Sequence, residues 1–194
     1  MLISLVERSL RLSMKDNRYI FPKTTCGSEI REVRKALKMT QREFAEFSGV
    51  SKPTVERWES QKEVSGPIVT LIEILKRNKL LPQKYTIPQG KPKLRMYYIY
   101  VNTVCTIIDI DETERTVQIK NYIDNPQLRA FGINDNPTFE DYEEFIESRC
   151  FPRSRDKMKL ELKRLDIPFY DPILIIEKTE GRMAEDHFWI KIER

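Results

Sequence analysis

The sequence predicts a two-domain protein, all-helical in its first part and α+β with a small antiparallel sheet in its second. Apolar residues recur with a helical period from Ile30 to Leu75, whereas β-branched and aromatic residues dominate from Leu94 to Tyr122. Between the two patterns, KYTIPQGKPKL (Lys84 to Leu94) places two prolines and a glycine, which suit a linker. Charge divides at the same place. Met1 to Gly90 carries 17 Lys/Arg against 10 Asp/Glu, a balance of +7, and Lys91 to Arg194 carries 17 against 20, a balance of −3. The expected organisation is an arm or extra element at 1–27, a helical domain at 28–83, a linker at 84–93 and an α+β domain at 94–194. The arm is ambiguous, because LVERSLRLS fits a short helix or a strand equally well.

The elements can be justified in order. Ile30, Val33 and Leu37 mark a first helix. Thr40 followed three residues later by Glu43 is a capping box, with Phe44, Ala45 and Phe47 as the apolar side, and Gly49 suits the left-handed residue at a helix C-terminus. Ser51 starts the next helix, where Pro53 is tolerated because first-turn amides have no intrahelical partners. Val50, Val55 and Trp58 are its expected buried side, and Ile68, Leu71, Ile72 and Leu75 define a fourth helix. LRMYYIYV, TVCTIIDI and RTVQIKNY then read as a strand meander, with Asp111 to Glu114 turning the last pair. Thr138 with Asp141 caps a helix that buries Phe139, Tyr142, Phe145 and Ile146. Ser154 is expected to cap another, carrying Met158, Leu162 and Leu165. Asp171-Pro172 opens a third, Gly181 ends it, and His187 to Ile192 returns as a strand.

Composition bounds the class. With 194 residues, 40% hydrophobic and 33% charged, the chain is too apolar for disorder and too polar for a membrane protein. Glu7, Arg8 and Arg11 interrupt the apolar run at the start, so a cytoplasmic protein is expected rather than a secreted one. Cys26, Cys105 and Cys150 lie far apart without a CxxC pair, which suggests neither a disulfide framework nor a zinc site; inert core thiols are the expectation.

Two short helices meeting at the Ser48-Gly49-Val50 turn, flanked by a helix on each side, make a helix-turn-helix arrangement whose second helix is built to enter a DNA major groove. Lys52, Thr54, Glu56 and Arg57 would occupy its exposed face, with Arg57 suited to a bidentate contact with guanine. Gln41 and Arg42 begin the preceding helix, where free amides and the positive dipole end favour phosphate. Thr40, Ser51 and Lys62 complete the candidate DNA-binding set.

KMTQREFAEFSGVSKPTVERWESQ resembles the Xre/Cro/CI family through Thr40-Gln41, Phe44-Ala45, Gly49-Val50-Ser51, Thr54-Val55 and Arg57-Trp58-Glu59. SGPIVTLIEILKRN (Ser65 to Asn78) is similar to the fourth helix of HigA-, NadS- and MqsA-type antitoxins, although no zinc-binding cysteine module precedes it. The resemblance covers about Ser28 to Pro82. It implies a homodimer on a double-stranded palindromic operator, and DNA contacts from Gln41, Lys52, Thr54 and Arg57. In the second half, a Phe-Pro-Arg-x-Arg start, a Tyr-Asp-Pro centre and an Asp-x-Phe-Trp ending resemble segments associated with HipA-like kinase proteins of Firmicutes mobile elements. That likeness implies a partner-binding or sensor module. No phosphate-binding glycine loop or catalytic-loop pattern accompanies it.

A second basic cluster of Arg149, Arg153, Arg155, Lys157 and Lys159, continued by Lys163 and Arg164, could meet phosphates or an acidic partner; a solvated helix face is the alternative. The single histidine, His187, suits a core or edge position. The carboxylates of Glu140 to Glu147 suit an acidic surface, and Cys150 among basic neighbours could be a redox sensor or a buried thiol. The expectation is therefore a non-enzymatic DNA-binding regulator without metal or cofactor, most simply an autoregulating repressor. The alternative is an antitoxin or phage or mobile-element inhibitor, whose C-terminal domain neutralises a protein partner such as a toxin, a kinase-like protein or a host target.

Overall fold

A computed structural model describes residues 21–154 and 156–194, and the chain folds into two compact units that divide between Thr86 and Ile87. The ambiguous arm segment at 1–20 and Arg155 of the second basic cluster lie outside the described residues.

The first unit runs β1 (Thr24–Thr25), α1 (Gly27–Ala36), α2 (Gln41–Ser48), α3 (Lys52–Ser60), β2 (Val64–Ser65), α4 (Pro67–Arg77) and the short α5 (Leu81–Lys84). Its core is the apolar stripe of each helix turned inward: Ile30 and Val33, Phe44 and Ala45, Val55, then Ile68, Val69, Ile72 and Leu75. The expected caps form. Thr40 and Glu43 complete a reciprocal capping box, and Gly49 takes the left-handed conformation at φ 68° that releases the chain from α2. Residues 24–27 of the expected arm are built into this unit, because β1 pairs antiparallel with β2, Thr25 opposite Val64. Two-residue strands have no periodicity to read.

Gly27 explains how closely α1 meets α3. Its amide donates to Gln61 O at 3.0 Å, and a Cβ at this position would stand 2.4 Å from Trp58 O and 2.7 Å from Gln61 O. Those atoms are backbone and cannot rotate away. Gly27→Ala is expected to lower the stability of this unit by about 1–3 kcal/mol, seen as an earlier unfolding midpoint in urea.

The second unit runs β3 (Leu94–Tyr100), β4 (Thr103–Asp111), β5 (Thr116–Asn121), a 3₁₀ turn at Pro126–Leu128, α6 (Phe139–Ser148), α7 (Met158–Leu165), α8 (Pro172–Thr179) and β6 (Phe188–Glu193). The meander forms, and β6 joins the free edge of β3, so that the antiparallel order is β5-β4-β3-β6. Leu94, Met96 and Tyr98 of β3 pair with Ile110, Ile108 and Thr106 of β4, which puts them on the face that packs with Tyr142, Phe145 and Ile146 of α6 and Ile175 and Ile176 of α8. The opposite face carries an ion pair of buried Arg95 with partly buried Asp109, at 2.6 and 2.7 Å. At the β3–β4 hairpin Val101 sits at φ 55°, unusual for a β-branched residue. It is held there by its amide bond to His187 O and by Trp189 Nε1, which donates to its carbonyl.

Two local expectations are corrected. Ser154 does not cap α7: Lys157 stands at the N-cap in a left-handed conformation, φ 64°, and no side chain caps that end. Cys26 is not a core thiol but is exposed ahead of α1, unlike buried Cys105 and Cys150. Burial pushes the Cys150 thiol up to about 12, so its basic neighbours do not make it a thiolate and the redox-sensor reading loses its chemistry.

Candidate nucleic-acid interface

The exposed face of α3 is positioned by what its opposite face buries. Val55 is fully buried and Trp58 partly, and the stripe ends on a carboxylate: Glu59, whose side chain is 2% exposed. Arg34 of α1 donates to Glu59 Oε1 through Nε at 2.6 Å and to Oε2 through Nη2 at 3.2 Å. Arg31 reaches Glu59 Oε2 at 3.4 Å and its carbonyl at 3.2 Å, and Gln41 Nε2 of α2 donates to Oε2 at 3.0 Å. Burial pushes the Glu59 carboxyl upward, but the hydrogen bonds from Arg34, Gln41 and Arg31 outweigh it and hold the group below the ordinary glutamate range. One carboxylate thus ties α3 to α1 and α2, fixing the angle at which α3 is presented.

The outward residues differ in availability. Arg57 and Lys62 are exposed, and their side chains have no partner among the described residues. Lys52 and Glu56 pair at 3.0 Å along the helix, and Arg42 and Glu46 pair at 3.3 Å; both pairs are largely exposed, so either cation can exchange its partner for a phosphate at little cost. Ser51 Oγ and Thr54 Oγ1 lie 3.0 Å apart at the start of α3. Thr40 is occupied by the capping box, accepting from Glu43 N at 3.2 Å, and Gln41 spends one N–H on Glu59 while its amide oxygen and second N–H have no partner among the described residues. The structure therefore gathers all nine candidates at the α2–α3 corner or along α3 and its exit. Glu59 was missed as a site residue. Its position four residues after Val55, on the apolar stripe, is the signal that a buried carboxylate with an arginine partner was to be expected.

The second basic cluster does not hold together. Arg149 is buried at 7% exposure and is spent internally on Asp186, Gly181 O and Phe188 O. Arg153 pairs with Glu147 at 2.5 Å and lies over the Tyr170 ring, whereas Lys157 and Lys159 remain exposed. His187 is exposed beside β6. Among the described residues no group of three or more His, Cys, Asp or Glu could hold a metal, and no helix is long and apolar enough to cross a membrane.

Residues 30–74, from α1 into α4, match a helix-turn-helix family, and α2, the Gly49 turn and α3 have the helix-turn-helix arrangement. The match spans well under half of the chain. No curated protein and no solved structure matches the chain.

Proposed function

We propose that the protein is a sequence-specific transcriptional regulator, an autoregulating repressor that binds a palindromic operator as a homodimer. The observation that carries this reading is the contrast between the two sides of α3: Glu59 is locked to α1 and α2, while the exposed Arg57 guanidinium has no partner among the described residues. A rigidly held helix presenting an uncommitted arginine is suited to major-groove readout. Lys52, Lys62 and Arg42 supply the phosphate contacts, together with the N-terminal amides of α2. The C-terminal unit serves dimerisation, partner binding or sensing. Two recognition helices related by a twofold axis would reach half-sites about one DNA turn apart.

The test is binding of the full chain to its own promoter fragment and to a scrambled fragment across a salt series. Arg57→Ala is expected to lose roughly 10–100-fold in affinity for the promoter and little for the scrambled fragment. Lys62→Ala is expected to weaken both alike and to flatten the salt slope by about one unit. Equal affinity of the native chain for both fragments would sink the sequence-specific reading.

A further inference from the structure

We infer that the C-terminal unit carries a self-complementary surface, in which acidic α6 of one copy pairs with basic α7 of a second copy of this chain.

Each helix presents an uncompensated charge to solvent. On α6, Glu143 is paired with Arg115 and Glu147 with Arg153, but Glu140 and Glu144 are exposed with no partner among the described residues. On α7, Met158, Leu162 and Leu165 turn toward the core, while Lys159, Leu160, Lys163 and Arg164 form the outer face. Lys159 and Lys163 have no partner among the described residues, and Arg164 reaches Glu161 only at 4.0 Å. Like charges four residues apart on a helix repel, so each helix carries a local conflict of its own. The conflicts have opposite sign and the same spacing, because four residues advance a helix by ~6 Å. Set against each other, Glu140 and Glu144 meet Lys159 and Lys163.

Charge alone would suit a polyanion equally well, but the basic face has an apolar centre. Leu160 is 61% exposed between Lys159, Lys163 and Arg164, and Phe169, just beyond α7, is also 61% exposed. Ile133, ahead of α6, is 84% exposed. Exposed apolar side chains ringed by charge are buried by a protein surface, not by a phosphate backbone. A twofold axis makes the contact reciprocal, α6 to α7 and α7 to α6, and closes it at two copies. Such a pairing supplies the dimer that operator binding needs, and its biological role rests on that reading, although the association itself needs no DNA.

The test is sedimentation equilibrium of the full chain without DNA, in low and high salt. The native chain is expected to dimerise, more weakly as salt rises. Lys159→Glu/Lys163→Glu and, separately, Glu140→Lys/Glu144→Lys are expected each to weaken self-association about tenfold or more while keeping a native circular-dichroism spectrum. An equimolar mixture of the two reversed proteins is expected to re-form dimers, because both contacts between them join opposite charges: the unaltered acidic α6 meets the unaltered basic α7, and the reversed α7, now acidic, meets the reversed α6, now basic. Two reversed proteins that remain dimers as tight as the native one, a mixture that fails to associate, or a native chain that stays monomeric would each overturn the proposal. So would an α7 reversal that leaves the dimer intact and only lowers DNA affinity, which would make the basic face a phosphate contact. Promoter binding by a chain whose dimer survives both reversals would leave the regulator reading standing while removing this interface.

Discussion

Glu59→Ala is expected to lower the stability of the N-terminal unit by about 3 kcal/mol, close to the lower bound for breaking a buried ion pair. The carboxylate accepts from Arg34, Arg31 and Gln41, and Arg34, only 12% exposed at its side chain, would keep its charge without a counterion. Glu59→Gln keeps the shape and part of the hydrogen bonding, so its loss is expected to be smaller. Trp58 and Trp189 are the two tryptophans, and a Trp189→Phe background leaves Trp58, next to Glu59, as the sole fluorescent reporter of unfolding in urea. The pH dependence has a defined sign. Because the folded carboxyl lies below its ordinary value of 4.5, its contribution is complete above that value and is lost as pH falls through the lowered folded value. Native protein should therefore lose stability on acidification in a step that Glu59→Gln lacks. DNA affinity should fall in Glu59→Ala even at temperatures where it is folded, since α3 loses its ties to α1 and α2. An unfolding midpoint equal to that of the native protein would refute the role given to this carboxylate.

What could be read from the sequence is what short-range rules decide. The Thr40–Glu43 and Thr138–Asp141 boxes, Gly49, and the Asp171-Pro172 start are each fixed by residues within one turn, and each formed where expected; Asp171 accepts from Ile173 N and Leu174 N. The strands announced themselves by runs of β-branched and aromatic residues, and the outward set on α3 followed from its apolar stripe. What the sequence did not disclose depends on partners far along the chain. Glu59 is buried because arginines 25 and 28 residues earlier meet it. β1 exists only through β2. Lys157 replaces Ser154 at the start of α7 because the chain turns there through a left-handed residue, not through a hydroxyl cap. Arg149 looked like one more cation in a basic run, and nothing local marks it as buried.

That residue carries the largest effect expected in the C-terminal unit. Arg149 ends α6 and donates through Nε and Nη2 to Gly181 O at 3.0 and 2.8 Å, through Nη1 to Asp186 Oδ2 at 2.6 Å, and through Nη2 to Asp186 Oδ1 at 3.1 Å and Phe188 O at 3.2 Å. Its guanidinium also lies 5.8 Å from the Tyr98 ring centre and 6.0 Å from that of Phe188. It thereby joins the end of α6, the loop after α8 and the first residue of β6, three segments separated by more than 30 residues of chain from one end to the other. Arg149→Ala would leave two carbonyls without their donor and strip Asp186 of its counterion, at an expected cost of about 3–5 kcal/mol. Arg149→Lys should recover little, because an ammonium cannot reproduce the planar fork that serves an aspartate and two carbonyls together. With Trp58→Phe, Trp189 on β6 reports the loss directly by fluorescence. Asp186 provides a second readout: hydrogen bonding from Arg149 is the main cause that holds its carboxyl below the ordinary aspartate value, so its titration should move upward in a folded Arg149→Lys protein. The stability that Asp186 contributes is present above the ordinary aspartate value and lost as pH falls through the lowered one, so Arg149→Lys should also blunt the acid sensitivity of this unit. An Arg149→Ala protein as stable as the native chain would mean that β6 is held to the sheet by its ladder with β3 alone, and that the arginine is a passenger in the core.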